Sequence, residues 1–347
     1  MSDDIGGVWR TIGNRHIFIR NGKSIPEAMK ESGKFPVGNN KNRLSKEEIK
    51  KRLDESIRRT QTDTSGRGED DSLARYTDKN GNLKPEREKI HREIIEEYFD
   101  GKEPVKDEEK EFLMTGGGSG TGKSNFRKNI DKKYFDLDMN NVVVIDADDI
   151  KQKLYIKGDD PIYDAGFFHE ESSALAKRTQ TVGLENNYNI MLDGTGDGGV
   201  EKLGKKIQQA KNLNYKVEAC YGTCDVQKAL ENNLNRYLKG YEKDPRTARY
   251  VKEEEVVSLH SNVTKALMGN ADRFDKVALY DMNDFKNIKK IAEGGNGTGL
   301  QIEKGYEKEF AKFLQKGELT GREINNLAST FRQNADIIRK NIKEGKK

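Results

Sequence analysis

The stretch Phe112-Leu113-Met114-Thr115-Gly116-Gly117-Gly118-Ser119-Gly120-Thr121-Gly122-Lys123-Ser124 runs an apolar, extended segment straight into a G-x-x-x-x-G-K-S loop, and a helical pattern follows. Glycines in such a loop allow left-handed backbone conformations and turn the amides toward phosphate oxygens, while the start of the next helix adds its dipole. Lys123 compensates charge on the β- and γ-phosphates, and the Ser124 hydroxyl suits Mg²⁺. Gly117, Gly118, Ser119, Gly120, Thr121, Gly122, Lys123 and Ser124 are therefore the predicted nucleotide-binding residues, with ATP and Mg²⁺ as cofactors. A plain glycine-rich strand exit is the alternative, and the strand-loop-helix context speaks against it.

Working outward, residues 142–145, 189–192, 215–221 and 277–280 are further apolar runs spaced for crossover helices. With 112–115 they predict five strands of a parallel α/β sheet. The second run ends in Ile145-Asp146-Ala147-Asp148-Asp149-Ile150, at the edge where open α/β sheets bind ligands. Alternation along an extended chain, followed by a turn, leaves open whether Asp146 or Asp148 faces the γ-phosphate, and capping of the next helix is the plain reading. The third run ends in Leu192-Asp193-Gly194-Thr195, where Asp193 suits a magnesium shell or a substrate hydroxyl and Thr195 a substrate hydrogen bond. Farther on, Val226, Leu230, Leu234 and Tyr237 form one helical stripe that leaves Arg236 on another face; Arg249 follows in Ala248-Arg249-Tyr250.

The chain has 347 residues, 33% hydrophobic and 35% charged, which is more polar than an ordinary globular domain. Its 63 Lys+Arg and 59 Asp+Glu are interspersed, so no basic tract exists to hold nucleic acid by phosphate neutralisation, and nucleic acid is not an expected partner. No run approaches the roughly 18 apolar residues of a membrane span. Met1-Ser2-Asp3-Asp4 is acidic where a signal peptide would be basic, so the reading is cytoplasmic, without a membrane partner. Cys220 and Cys224 lack a second Cys or His pair, and Cys220 reads as a buried strand residue.

Four regions are expected: 1–40, a β-hairpin followed by a helix from Ser24; 41–110, charged helices and linker; 111–300, the α/β domain; and 301–347, a helical tail. Within the second, Ser45-Lys46-Glu47-Glu48 is a capping box, 59–72 reads as a flexible linker, and Ile90, Ile94, Tyr98 and Phe99 mark a helix packed on the main domain. The tail carries Ile324, Leu327, Phe331, Ile338 and Ile342 on one stripe.

The order of motifs over residues 111–268 resembles the zeta toxin family of P-loop kinases. The likeness rests on the loop from Gly117 to Ser124, Ile145 to Asp148, Asp193 to Thr195, and the arginines Arg236 and Arg249, whose spacing agrees with the family's lid arginines. It implies a P-loop kinase-like parallel sheet flanked by helices, with a small N-terminal β-hairpin/helix appendage and helical additions at both sides. It also implies ATP-dependent phosphorylation of a sugar hydroxyl on a nucleotide sugar, UDP-N-acetylglucosamine in known members, and leaves open an antitoxin partner. Carried over, Asp148 is the base, Lys123, Arg236 and Arg249 serve the phosphoryl group, Asp193 and Thr195 hold substrate, and Ser124 and Asp146 fall to magnesium. Arg246 is an alternative to the lid arginines. Lys177 stands where family members carry a substrate-contacting Glu; Glu170 and Glu171, about two turns earlier, are the substitutes. A kinase of the same fold acting on NAD or another nucleotide, and a phage structural or packaging-associated ATP-binding protein, are the competing readings. Residues 7–35 resemble a segment at the ends of phage minor head proteins.

Overall fold

A computed structural model of the chain describes residues 7–12, 15–20, 45–123, 138–158, 164, 166–194, 196, 198–243 and 250–343, with side chains between 45 and 334 of those ranges. Two units divide it, residues 1–51 and 52–347. In the first, strands β1 (Gly7–Ile12) and β2 (Arg15–Arg20) pair antiparallel from Gly7 opposite Arg20 to Ile12 opposite Arg15, the predicted hairpin. The helix expected from Ser24 lies outside the described residues. Helix α1 (Lys46–Arg59) opens with the predicted capping box: Ser45 N–H donates to Glu48 Oε2 at 2.8 Å and Glu48 N–H to Ser45 Oγ at 3.2 Å.

The second unit is built on a seven-stranded sheet. Its strands are β3 (Glu111–Gly116), β4 (Val142–Asp146), β5 (Asn189–Asp193), β6 (Lys216–Thr223), β7 (Lys276–Asp281), β8 (Lys289–Gly295) and β9 (Thr298–Ile302). They lie in the order β4-β5-β3-β6-β7-β8-β9. The first five are parallel and correspond to the five predicted runs. Alternation along β3 sends Phe112 and Met114 to one apolar layer and Leu113 to the other, so both faces are covered, as a parallel sheet requires. One layer is formed with α2 (Pro85–Phe99), α3 (Ala147–Gly158), α4 (His169–Glu185) and α5 (Gly199–Asn212), the other with α6 (Val226–Lys243), and α7 (Glu253–Met268) contributes to both, Val263 and Leu267 to the first and Val256 and Val257 to the second. Helices α8 (Glu307–Gly317) and α9 (Gly321–Lys343) follow; Phe331 of α9 is buried and Leu327 is 40% exposed, so the predicted stripe packs only in part.

The β8–β9 hairpin was not anticipated. It adds two antiparallel strands to the parallel five, turning through Asn296 (φ 52°) and Gly297 (φ 82°), the left-handed pair that a tight hairpin turn requires. Cys220 is a buried, free strand residue as expected, and Cys224 is also buried and free. Among the described residues no helix is long and apolar enough to cross a membrane.

Residues 59–72 are not the flexible linker expected from their lack of apolar anchors. They are fastened by polar groups instead. Thr62 Oγ1 donates to His91 Nδ1 at 2.9 Å, Thr64 Oγ1 donates to the Gly81 carbonyl at 2.6 Å, and Asp63 pairs with Lys177 at 3.2 Å. Behind them lies a buried network. Arg87 donates from Nε and Nη2 to the two oxygens of Glu171 at 2.5 and 2.8 Å, and His91 Nε2 lies 2.7 Å from Glu171 Oε1. Arg178 donates to both oxygens of Glu88 at 2.8 Å and to the Ile57 carbonyl at 2.8 Å. Burial lowers the pKa of His91, against the pull of Glu171, so its neutral ring accepts from Thr62 and donates to the carboxylate.

Burial opposes the charge of Glu171, yet hydrogen bonds from Arg87 and His91 outweigh it and hold the carboxyl at about 2, below its ordinary 4.5. Glu171→Gln leaves Arg87 buried without its anion and is expected to cost about 3–5 kcal/mol at neutral pH. A depressed pKa stabilises the fold above the ordinary value, and that stability is lost as pH falls from 4.5 toward 2. Urea titrations of wild type and variant should therefore converge over that range; a constant gap would place the effect elsewhere.

Candidate active site

The phosphate loop leaves β3 in the middle of the parallel strands and takes left-handed values at Gly120 (φ 78°) and Gly122 (φ 85°). A Cβ at Gly120 would collide with the Ala229 carbonyl of α6, so the close approach of helix and loop also requires glycine there. Three successive loop carbonyls accept side-chain donors: Gly118 from Thr121 Oγ1 at 2.8 Å, Ser119 from His260 Nε2 at 2.9 Å, and Gly120 from Asn232 Nδ2 at 2.8 Å. Burial, with Lys316 and Lys123 nearby, pushes His260 down to about 3, so the ring is neutral and its partner carbonyl fixes the proton on Nε2. Lys123 Nζ donates to the Gly117 carbonyl at 2.9 Å, folding back over the loop. Ser124 lies outside the described residues.

Register sets the second part of the site. Thr115 is paired with Asp193, and Asp193 with Asp146, so the ends of β3, β5 and β4 form one row at the C-terminal edge. Thr115 Oγ1 donates to Asp193 Oδ1 at 2.7 Å. Asp146 Oδ1 accepts from the Asp148 N–H at 2.8 Å. Burial raises the pKa of Asp146, and the like charges of Asp193, Asp148 and Asp149 add to it, a concentration of negative potential that a cation would relieve.

The neighbouring acids are deployed differently. Asp149 accepts from the Tyr98 hydroxyl of α2 at 2.8 Å, whereas Asp148 is exposed and pairs with the buried Lys151 at 2.9 Å. No cluster of three or more His, Cys, Asp or Glu residues fit to hold a metal occurs among the described residues. Magnesium in phosphoryl-transfer sites is usually held by one or two carboxylates and the substrate phosphates, a requirement that Asp146 fits.

Glu171, read as a substrate contact, is instead fully buried and committed to Arg87 and His91. Adjacent helix residues point about 100° apart, so Glu170 and Glu171 cannot share a face. Glu170 is partly exposed, 43% at its side chain. Arg236 Nη2 donates to Asn233 Oδ1 at 2.9 Å, one turn earlier on α6. Thr195, Arg246 and Arg249 lie outside the described residues. Asn232, Asn233 and His260 were not singled out in the sequence, and Tyr98 was read only as a packing residue of its helix; of the first three only the asparagines, poor helix formers inside a helix, offered a signal.

No curated protein sequence matches the chain. Among solved structures, the AvrRxo1-ORF1:-ORF2 complex with ATP is 20% identical with a TM-score of 0.53, covering 70% of this chain and 76% of that one. The same complex with sulphate ions is 19% identical, with a TM-score of 0.51 over 70% and 76% of the two chains. A structure of the PezAT chromosomal toxin-antitoxin system of Streptococcus pneumoniae is 17% identical, with a TM-score of 0.47 over 72% of this chain and 95% of that one. At such identities the likeness is one of fold, a P-loop kinase-like sheet flanked by helices. The zeta toxin family pattern matches residues 95–291, more than half of the chain and all of the parallel sheet. The chain belongs to the zeta toxin family.

Proposed function

We propose that the protein is an ATP-dependent small-molecule kinase that phosphorylates a sugar hydroxyl of a nucleotide sugar, with UDP-N-acetylglucosamine the first acceptor to test. The observation that carries this reading is the phosphate loop with its carbonyls tied to the protein, beside a row of two strand-end carboxylates. Carbonyls held outward leave the loop amides to meet an anion, and Lys123 adds a point charge. A fold neighbour solved with ATP supports the nucleotide.

In the proposed reaction Asp148 takes the proton of the acceptor hydroxyl. The hydroxyl oxygen forms a bond to the γ-phosphorus while the bond to the β,γ-bridging oxygen breaks, and ADP leaves with that electron pair. Arg236 and Arg249 offset charge on the transferring group, which guanidinium suits because its own charge is delocalised. Ser124 and Asp146 would hold Mg²⁺, which neutralises phosphate charge when bound. Asp193 and Thr195 hold the acceptor, and Glu170 is the acid nearest in role to the missing family glutamate. Lys177, bound to Asp63 where that acid is expected, favours a second acceptor class, NAD or another nucleotide. An antitoxin protein is the proposed partner, in keeping with family membership.

Lys123→Ala should weaken ATP binding and abolish transfer; wild-type affinity by calorimetry in that variant would remove the loop from the nucleotide site. Asp148→Asn keeps its shape and should retain ATP affinity while transfer falls by about 10²- to 10⁴-fold, as for a lost general base. If Asp148→Asn transfers normally and Asp146→Asn does not, the base is Asp146. Arg236→Ala and Arg249→Ala should each depress turnover far more than ATP affinity, by up to about 10³-fold or more. Labelled ATP incubated with nucleotide sugars and dinucleotides, with products read by mass spectrometry, identifies the acceptor. Label on NAD alone would replace the nucleotide sugar and keep the kinase.

A further inference from the structure

We infer that Asn233 is a positioning residue that fixes the Arg236 guanidinium beside the phosphate loop and ties both to the chain at Val251. The inference rests on the kinase reading, since an arginine needs aiming only where it acts on a transferring group. Asn233 is buried, 4% exposed, and precedes Arg236 by one helical turn, so the two side chains are neighbours on α6. Its Oδ1 accepts from Arg236 Nη2 at 2.9 Å and, at the long distance of 3.5 Å, from the Ser119 hydroxyl of the loop. Its Nδ2 donates to the Val251 carbonyl at 3.0 Å.

Chemistry fixes the orientation of this amide. The reverse orientation would set its N–H against the guanidinium and its oxygen against a carbonyl. Each element that Asn233 joins has a second anchor. The Ser119 carbonyl is held by His260 at 2.9 Å. The chain at residue 250 is held by the Tyr250 ring edge-on to Tyr237, with centroids 5.3 Å apart, and by the Tyr250 hydroxyl on Glu253. Arg332 of α9 in turn reaches Glu253 at 3.4 Å. Arg236 thus starts from a frame that also contains the loop.

A packing role would be served better by an apolar residue. Asparagine is a poor helix former, and it lies among the buried Ala229, Leu230 and Leu234 of its own helix, where desolvating an amide is unfavourable. Its polar groups matter here because they match three different partners at once. A guanidinium held by a fixed acceptor has less freedom to lose when it engages a phosphoryl group.

The test is a double-mutant cycle on the full chain, with Asn233→Leu, Asn233→Asp, Arg236→Ala and the Asn233→Leu, Arg236→Ala pair. Turnover, ATP affinity by calorimetry and thermal midpoint are measured together. Asn233→Leu should lower kcat by about 10- to 100-fold, the scale of a misplaced catalytic group, with ATP affinity little changed and a midpoint lowered by the Val251 carbonyl that loses its donor. In the Arg236→Ala background the same substitution should cost nothing more. Asn233→Asp keeps an acceptor for Arg236 and should lose less than Asn233→Leu. If Asn233→Leu does not fold, Asn233→Ala enters the cycle in its place.

An undiminished loss in the Arg236→Ala background, a loss mirrored in ATP affinity, or an Asn233→Asp variant as impaired as Asn233→Leu overturns the inference. Impaired Arg236→Ala with normal Asn233→Leu overturns this inference alone and leaves the arginine's role standing. Normal Arg236→Ala overturns both. Should wild type transfer to no acceptor, ATP hydrolysis supplies the turnover; absence of both activities removes the kinase reading and this inference with it.

Discussion

Because β3 has a parallel neighbour on each side, the loop at its C-terminal end sits where the sheet's connections diverge, with β5 and β4 to one side and β6 and β7 to the other. That constraint ties the core to the site. Phe112 and Met114 must face one layer and Leu113 the other, and the same register brings Thr115 against Asp193 and Gly116 against Tyr221. A slip of one residue would reverse every buried side chain of β3 and also break the row that joins Thr115, Asp193 and Asp146. Hydrophobic alternation in the strands is thus what aligns the carboxylates.

The strand ends are held from the other side by helices far away in sequence. His260 reaches Ser119 across 141 positions, and its burial drives the imidazole to about 3. Lys316 of α8 is likewise buried, bonded to the Thr223 hydroxyl and, at 3.0 Å, to the Cys224 carbonyl just past β6, and desolvation lowers it to about 8. Burying such groups is unfavourable unless each finds a partner, and in both cases the partner is the backbone, or a residue beside it, at a strand end. Polar burial at this edge fixes a loop with exposed peptide groups; a second buried network, away from the loop, surrounds Glu171.

Much of this was legible in the sequence because the signals are local. The five parallel strands are short apolar runs, the capping box of α1 is a four-residue pattern, and the phosphate loop announces itself in eight residues. The hairpin of β8 and β9 was missed, because glycines interrupt the alternation on either side of its Asn296-Gly297 turn. Tertiary pairings were not. Nothing near Glu171 shows that Arg87 and His91 will close on it, and the choice between Glu170 and Glu171 depends on a helical phase that only the packed partner reveals. Residues 59–72 looked free for the same reason, since their anchors are hydroxyls and a carboxylate whose partners lie on α2, on α4 and at Gly81.

Those anchors bear on the acceptor. Hydrogen bonds from the Ser65 hydroxyl and backbone, with Lys177 beside it, hold Asp63 at about 2, so its carboxylate is charged throughout the ordinary pH range. Both partners are largely exposed, 66% and 50%, so the pair adds little to stability, and its consequence is chemical. An ammonium donates hydrogen bonds and accepts none, so Lys177 cannot take a hydrogen bond from a sugar hydroxyl as a carboxylate would. Glu170 lies two turns nearer the start of α4, on nearly the same face and partly exposed, while Glu171 beside it is sealed into the core. Glu170 lies at the N-terminal end of α4, where Gly66 approaches it closely enough that a Cβ would stand 3.6 Å from Glu170 Oε2. The segment before α2 and the start of α4 thus meet at Glu170.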